Sequence, residues 1–119
     1  MSGGVKMQAR IAQKYIERPF LIKKEVTTAA GKIKHEYRKF DLRQWVLVTS
    51  FNPLKIYMFN TCYIKICGSE WSLKDLKDKF KHLSNYSVQK KNARVENVKS
   101  DLIMSQSEFI QHLKQHFYK

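Results

Sequence analysis

Three ionisable side chains stand at alternate positions in the run Lys39-Phe40-Asp41-Leu42-Arg43-Gln44-Trp45-Val46-Leu47-Val48-Thr49. Side chains of an extended chain alternate between two faces, so Lys39, Asp41 and Arg43 share one face while Phe40 and Leu42 share the other. Cation, anion and cation in a row form an array that handles oxygens. Lysine neutralises a phosphate as a point charge, arginine grips a carboxylate or phosphoryl group through its planar fork, and aspartate holds a hydroxyl or orients the cations. A solvated ladder of ion pairs, worth little stability, is the other reading of the same spacing.

Other constellations accompany this strand. In Gln13-Lys14-Tyr15-Ile16-Glu17-Arg18-Pro19, free backbone N–H and C=O groups at a strand end could pair with the edge of a flat base, and Gln13 adds an amide that both donates and accepts. An ordinary edge strand with solvated polar residues fits those residues too. His82-Leu83-Ser84-Asn85-Tyr86-Ser87 gathers a titratable ring, two hydroxyls that flank an amide, and a phenol after a short helix, where loops present functional groups. No nucleophile elbow surrounds these serines, and a turn network is the alternative. His112 and His116 have the i, i+4 spacing of zinc ligands, but Leu113 follows His112 where the metalloprotease pattern needs Glu, and no third ligand presents itself. No metal site is expected, and a solvated helix flank accounts for the pair. Cys62 and Cys67 would face opposite sides of one strand as buried or half-buried thiols.

The elements that must position these groups are legible in part. Residues 11–16 alternate apolar and polar and predict a strand halted at Glu17-Arg18-Pro19, with Phe20-Leu21-Ile22 resuming it. Residues 23–38 lack a sustained period and predict a mobile, exposed loop. Tyr37 to Ser50 predicts a long strand, Phe51-Asn52-Pro53 a turn, and Leu54–Phe59 and Tyr63–Cys67 two short strands around Asn60. Ser72, with Asp75 three positions on, predicts the cap of a short helix ending by Lys81, with Leu73, Leu76 and Phe80 on its buried face. Residues 88–104 predict a loop. Ser105-Gln106-Ser107-Glu108 matches a capping box, and Phe109, Ile110, Leu113 and Phe117 follow at helical spacing, so the chain should carry a C-terminal amphipathic helix. The fold class is α+β, mainly antiparallel sheet, and so few elements over 1–119 predict a single incomplete domain.

Composition limits the partners. The 119 residues hold 23 Lys and Arg against 10 acidic residues, a net charge of +13, which favours a polyanionic partner. No apolar run is long enough to cross a bilayer, so no membrane partner is expected. Two cysteines make neither a disulfide framework nor a C-x-x-C metal motif, and a reducing cytosolic setting is expected. No nucleic-acid motif is present, and the basic residues spread along the chain rather than forming one arm or recognition helix, although the charge and aromatics could support phosphate contacts and stacking.

Taken in order and spacing, Gln13 to Pro19, Lys39 to Thr49, Asn52-Pro53-Leu54 and His82 to Ser87 resemble the tubulin tyrosine ligase-like family over about residues 11–91. The Lys-Phe-Asp-Leu-Arg-Gln-Trp run with its Asn-Pro-Leu is similar to the glycylase branch more than to the glutamylases, whereas His-Leu-Ser-Asn-Tyr-Ser is closer to the general family. The resemblance implies a partial ATP-grasp ligase domain that joins glycine or glutamate to glutamate side chains on the acidic C-terminal tails of tubulin, through an acyl phosphate made from ATP. It implies that Gln13, Lys14, Tyr15 and Ile16 hold adenine, and that Lys39, Phe40 and Asp41 lie by the nucleotide. By the same resemblance Arg43 and Lys65 stand near the reacting groups as catalytic and substrate-binding residues, with Ser84 and Asn85 by the nucleotide and Ser87 by the amino-acid substrate. The implied setting is the cytoplasmic cytoskeleton and the axoneme of a cilium or flagellum.

Two departures from the family pattern stand out. Lys65, in Tyr63-Ile64-Lys65-Ile66, occupies a position where arginine is usual, and lysine cannot form a bidentate clamp on a carboxylate. The upstream phosphate-gripping lysine with its glycine-rich loop, and the downstream acidic and Asn ligands for Mg²⁺, have no counterpart. The isolated chain is accordingly expected to be inactive. A glutamylase fragment, a non-catalytic basic module that binds acidic tubulin tails, and a nucleic-acid binder are the competing readings.

Overall fold

In a computed structural model that describes residues 9–117, strand β1 (Leu21–Thr27) turns back into the long strand β2 (Ile33–Phe51), which continues through a second turn into β3 (Leu54–Ile66). Three one-turn helices follow, α1 (Lys79–His82), α2 (Tyr86–Gln89) and α3 (Val98–Leu102), and then β4 (Ile103–Ser105) and the helix α4 (Gln106–Phe117). The strands make one antiparallel sheet in the order β1-β2-β3-β4. The architecture is the expected α+β.

Strand β2 is the shared element. Its Ile33–Lys39 part pairs with β1, and its Phe40–Phe51 part pairs with β3. Period-two alternation along β2 turns Phe40 toward Ile66, its partner across the ladder, and the buried core forms there from Ile22, Ile64 and Ile66. Met104 of β4 and Phe109 of α4 pack against that core, and Phe40 meets Phe20 and Phe109 with ring centroids 6.0 and 5.2 Å apart. Helix α4 therefore covers the Phe40 face and leaves the Lys39 face open.

Helix α4 starts on the predicted capping box. Ser105 N donates to Glu108 Oε2 at 2.7 Å and Glu108 N donates back to Ser105 Oγ at 3.3 Å, which satisfies backbone donors that a helix end leaves free. The Ser105 hydroxyl, which donates to Glu108 Oε2 at 2.6 Å, and then the Ser105 N–H hold the Glu108 carboxyl below its usual range.

Five expectations are corrected. Residues 11–16 are not a strand. Ile11 and Ile16 are exposed, and among the described residues no strand neighbours them and regular structure begins only after Pro19, at β1. Residues 23–38 are not a loop but most of the β1–β2 hairpin, polar because much of it faces water. Its turn closes where Thr28 N donates to Lys32 O and Gly31 N to Thr28 O, both at 2.8 Å, with Gly31 at a φ of +73° that favours glycine. In place of a helix over 72–81, Ser72 Oγ accepts from Lys74 N in a local turn, Asp78 caps the four-residue α1, and Leu73 and Leu76 are exposed. Residues 88–104 contain α3, capped by Asn97, and β4, which pairs with β3 and buries Leu102 beside it.

The two short strands around Asn60 are one strand with an irregularity. Gln44 pairs with Cys62 and Val46 with Met58, so Phe59, Asn60 and Thr61 bulge opposite Trp45. The Gln44 amide bridges the gap, with Nε2 donating to Phe59 O at 2.8 Å and Trp45 O at 3.0 Å.

Just past β3, a Cβ on Gly68 would lie 2.6 Å from both Asn92 Nδ2 and Gln89 Oε1 and 2.8 Å from Val95 Cγ2. Gly68→Ala should lower stability by about 1–3 kcal/mol through overpacking, read as a lower denaturation midpoint in urea at an unchanged slope.

Candidate functional site

The open face of the sheet is built by register. Lys39, Asp41 and Arg43 alternate on β2, and on β3 Lys65 lies opposite Asp41 and Tyr63 opposite Arg43. Partners across an antiparallel ladder share a face, so Lys65 joins the charged row although nothing in its own spacing predicted the pairing. Among the described residues, no carboxylate pairs with Arg43 or Lys65 as an ion pair. The Arg43 guanidinium instead rests 5.2 Å from the centre of the Trp45 ring. Beside it, Trp45, Phe59, Tyr63, Ser105, Ser107 and Ile110 help line a concavity of about 530 Å³.

The other end of the row is clasped by residues 82–84. Lys39 Nζ donates to His82 O at 3.0 Å, and Ser84 Oγ donates to Asp41 Oδ2. The clasp is held from behind by Gln89, whose side chain is 0% exposed. Its Nε2 donates to Leu83 O at 2.6 Å and Phe80 O at 3.2 Å, while its Oε1 accepts from Gly68 N at 3.0 Å. One buried amide thus ties the end of β3 to the segment carrying His82 and Ser84, with both of its polar ends satisfied.

Tyr15 completes the group. Its ring lies under Lys39 Nζ, 5.3 Å from the ammonium, and its hydroxyl lies 2.6 Å from His82 Nδ1 and accepts from Trp71 Nε1 at 3.2 Å. Lys14–Arg18 line a shallow concavity of about 470 Å³ around it, with Gln13 exposed beside it.

Tyr15, Lys39, Asp41 and Ser84 therefore meet, and Arg43 and Lys65 continue the same face. Phe40 lies on the opposite face, in the core, and backs the wall without lining it. Asn85 is exposed at the N-cap of α2, where its carbonyl accepts from Val88 N and Gln89 N. Ser87 is exposed in a separate concavity of about 420 Å³ with Asp78, Phe80 and Lys91. His112 and His116 sit side by side on α4, their ring centroids 4.4 Å apart. Burial comes first, ahead of the charges of His116 and Lys24, in holding the His112 ring below its ordinary value.

Sequence reasoning passed over Trp71 and Gln89. Gln89 carried a usable signal, since it lies three positions after Tyr86 in a run that can form a helical turn, but its 0% exposure is a tertiary result. Trp71 had no neighbour in sequence to mark it.

The profile described as "Tubulin-tyrosine ligase family" matches residues 2–119. The chain belongs to that family. Tubulin glycylase 3E of Tetrahymena thermophila is 44% identical over 115 residues, which are 97% of this chain and 8% of that protein. Tubulin monoglycylase TTLL3 of Homo sapiens is 45% identical over 80 residues (67% of this chain, 8% of that protein), and tubulin monoglutamylase TTLL4 of Homo sapiens is 40% identical over 90 residues (74% and 6%). The chain spans less than a tenth of the length of these curated relatives. Its curled antiparallel sheet, short helices and C-terminal helix are consistent with a partial ATP-grasp-like domain of this family.

The donor set on the open face can be tested against the groups such a domain handles. Lys39, Arg43 and Lys65 with the Ser84 hydroxyl fit phosphate or carboxylate oxygens. Mg²⁺ is held by one or two carboxylates among oxygen donors, and Asp41, which already accepts from Ser84, is the one carboxylate set in the row formed with Lys39, Arg43 and Lys65. No group of three or more His, Cys, Asp or Glu able to hold a metal occurs among the described residues. These residues do not make a Mg²⁺ site.

Cys67 is buried beside the head of this row, its N–H donating to Lys39 O at 2.8 Å. Burial, with the nearby Asp41 charge second, pushes its thiol from an ordinary 9.0 up to about 12. Only the neutral thiol is favoured in the fold, so stability should be intact below pH 9 and fall as pH rises toward about 12, where the unfolded chain has lost a proton that the folded chain keeps. Urea unfolding from pH 8 to 10.5 should show this slope, and it should shrink in Cys67→Ala. At pH 8 an alkylating reagent should label half-buried Cys62 well before Cys67.

Proposed function

We propose that this chain is the central nucleotide- and substrate-facing segment of an ATP-dependent ligase that adds an amino acid, glycine in our reading, to glutamate side chains on the acidic C-terminal tails of tubulin. The observation that carries the reading is the row of Lys39, Asp41, Arg43 and Lys65 on one open face, with Arg43 and Lys65 unpaired by carboxylate among the described residues and its inner end joined to Tyr15 and Ser84. Family membership and relatives named as tubulin glycylases and a tubulin monoglutamylase supply the substrate class.

In this reading the Gln13–Ile16 backbone takes the adenine edge, and Lys39 neutralises phosphate as a point charge. Arg43 and Lys65 receive the tail carboxylate and the charge that develops as it reacts. An oxygen of that carboxylate bonds to the γ-phosphorus of ATP as the bond to ADP breaks. The amine of the incoming amino acid then bonds to the acyl carbon, phosphate departs with the electrons of the broken C–O bond, and the proton shed by the amine nitrogen passes to that phosphate. Phosphoryl transfer is largely positioning and charge stabilisation, so cations on a rigid strand suit it. The +13 charge would speed encounters with an acidic tail and lose its effect in salt. The matching location is cytoplasmic microtubules and the axonemes of cilia or flagella.

A fluorescent ATP analogue and a polyglutamate tail peptide test the reading on the purified chain. Lys39→Ala should weaken the nucleotide and Arg43→Ala the peptide, each by about tenfold or more, the scale of a lost charge-assisted hydrogen bond. Lys65→Arg should tighten the peptide, because the fork can then grip both carboxylate oxygens. With ATP, labelled glycine or glutamate and tubulin, the chain alone should incorporate neither. Salt-sensitive peptide binding with no nucleotide binding would replace the ligase reading with a tail-binding module, and equal affinity for random single-stranded DNA would replace it with a nucleic-acid binder.

A further inference from the structure

We propose that Trp71 and His82 are positioning residues that lock Tyr15, and through it the backbone of Gln13–Ile16, onto the head of the charged row. The proposal rests on the nucleotide reading above and assigns that segment's placement to a directional relay of hydrogen bonds.

The direction follows from the chemistry of each partner. His82 is 6% exposed, and its Nε2 lies 2.9 Å from Asp75 O. A carbonyl only accepts, so Nε2 carries the hydrogen, and in that tautomer the ring accepts at Nδ1. The donor to Nδ1 is the Tyr15 hydroxyl at 2.6 Å. With its proton committed there, the Tyr15 oxygen accepts from Trp71 Nε1–H at 3.2 Å, as an indole can only donate. The order Trp71 to Tyr15 to His82 to Asp75 C=O therefore has one sense.

Both ends of the relay are fastened to β2. Trp71 N donates to Tyr37 O at 2.9 Å, and His82 O accepts from Lys39 Nζ at 3.0 Å. Tyr15 bridges these anchors, with its ring edge-on to His82 and its face toward the Lys39 ammonium. Residues 9–20 form no strand or helix, and among the described residues no backbone–backbone hydrogen bond reaches them. A segment without a ladder depends on its side chains for position, and Tyr15 is the one with three polar partners: Trp71, His82 and Lys39.

Loss of the relay should affect the part of a nucleotide that meets Gln13–Ile16 and spare the part that meets Lys39. Trp71→Phe keeps an aromatic ring and removes the indole donor. In the purified chain it should weaken a fluorescent ATP analogue about fivefold to tenfold while inorganic tripolyphosphate binds within twofold of the parent. Tyr15→Phe, which keeps the ring under Lys39 and removes the hydroxyl, should reproduce the loss for the ATP analogue. Nitrogen NMR of His82 should report the Nε2–H tautomer in the parent, and backbone order parameters of residues 13–16 should fall in both variants. An Nδ1–H tautomer, equal loss of both ligands in Trp71→Phe, or unchanged order parameters at 13–16 would overturn the relay. If the parent binds neither ligand, the nucleotide reading falls, and the tautomer and the order parameters still decide the relay.

Discussion

Strand β2 has to be polar and apolar along the same six residues, and period-two alternation is the only backbone geometry that permits it. Phe40 enters the core with Ile66 and Phe109 while Lys39, Asp41 and Arg43 stay on the open face. A shift of one residue in register would put three ionisable groups against Ile22 and Ile64. The apolar cluster therefore fixes the charged row, since burying one face and exposing the other are the same structural decision. Register with β3 extends it, because the pairing that buries Ile64 and Ile66 sets Lys65 beside Asp41.

The apolar core is small, and polar groups complete the support. Ile22, Ile64, Ile66, Cys67 and Leu102 are its buried apolar members, while Gln89, Asn92, Ser84 and His82 are buried beside the site. Gln89 satisfies two carbonyls and one N–H, and Asn92 reaches Ser69 Oγ and Arg94 N. Such groups are costly when left unpaired and specific when paired, because few other arrangements satisfy all of them at once. The position of residues 82–84 therefore comes from hydrogen-bond geometry more than from packing. This suits a clasp that must place a carbonyl on Lys39 and a hydroxyl on Asp41.

Those parts of the fold whose cause is local were legible in the chain. The alternation of Lys39 to Arg43 and the capping box at Ser105–Glu108 each specify structure within a few residues, and both are found. The alternation at 11–16 misled because a strand needs a partner strand, and among the described residues none lies beside it. The β1–β2 hairpin and β4 were missed for the converse reason: polar or short segments become strands when an existing edge accepts them. At Ser72 the hydroxyl closes a turn onto Lys74 N, a competition between side-chain and helix hydrogen bonding that spacing cannot resolve. In the site, Lys39, Asp41 and Arg43 were visible as a row, whereas the Tyr15–His82 contact joins residues 67 positions apart and had no sequence signal.

The charged row is held by two kinds of physics at its two ends. Lys39 and Asp41 are clasped by the polar network, whereas Arg43 leans on Trp45 at the base of a hairpin whose outer part is exposed on both faces. Leu47, Phe51, Leu54, Tyr57, Met58 and Phe59 all stand in solvent, Phe51 at 85% exposure, and Lys55 is the one charged residue between Gln44 and Cys62. Alternation that should give one wet face gives two apolar ones, the composition of a strand covered from both sides. An exposed apolar patch of this kind is a surface that associates. Trp45, itself half exposed, borders that surface, so the ring beside the guanidinium lies where the packed part of the sheet gives way to the exposed hairpin. The inner cation is thus positioned by a hydrogen-bonded network and the outer one by a single aromatic contact, so the two ends of the row can be tuned separately.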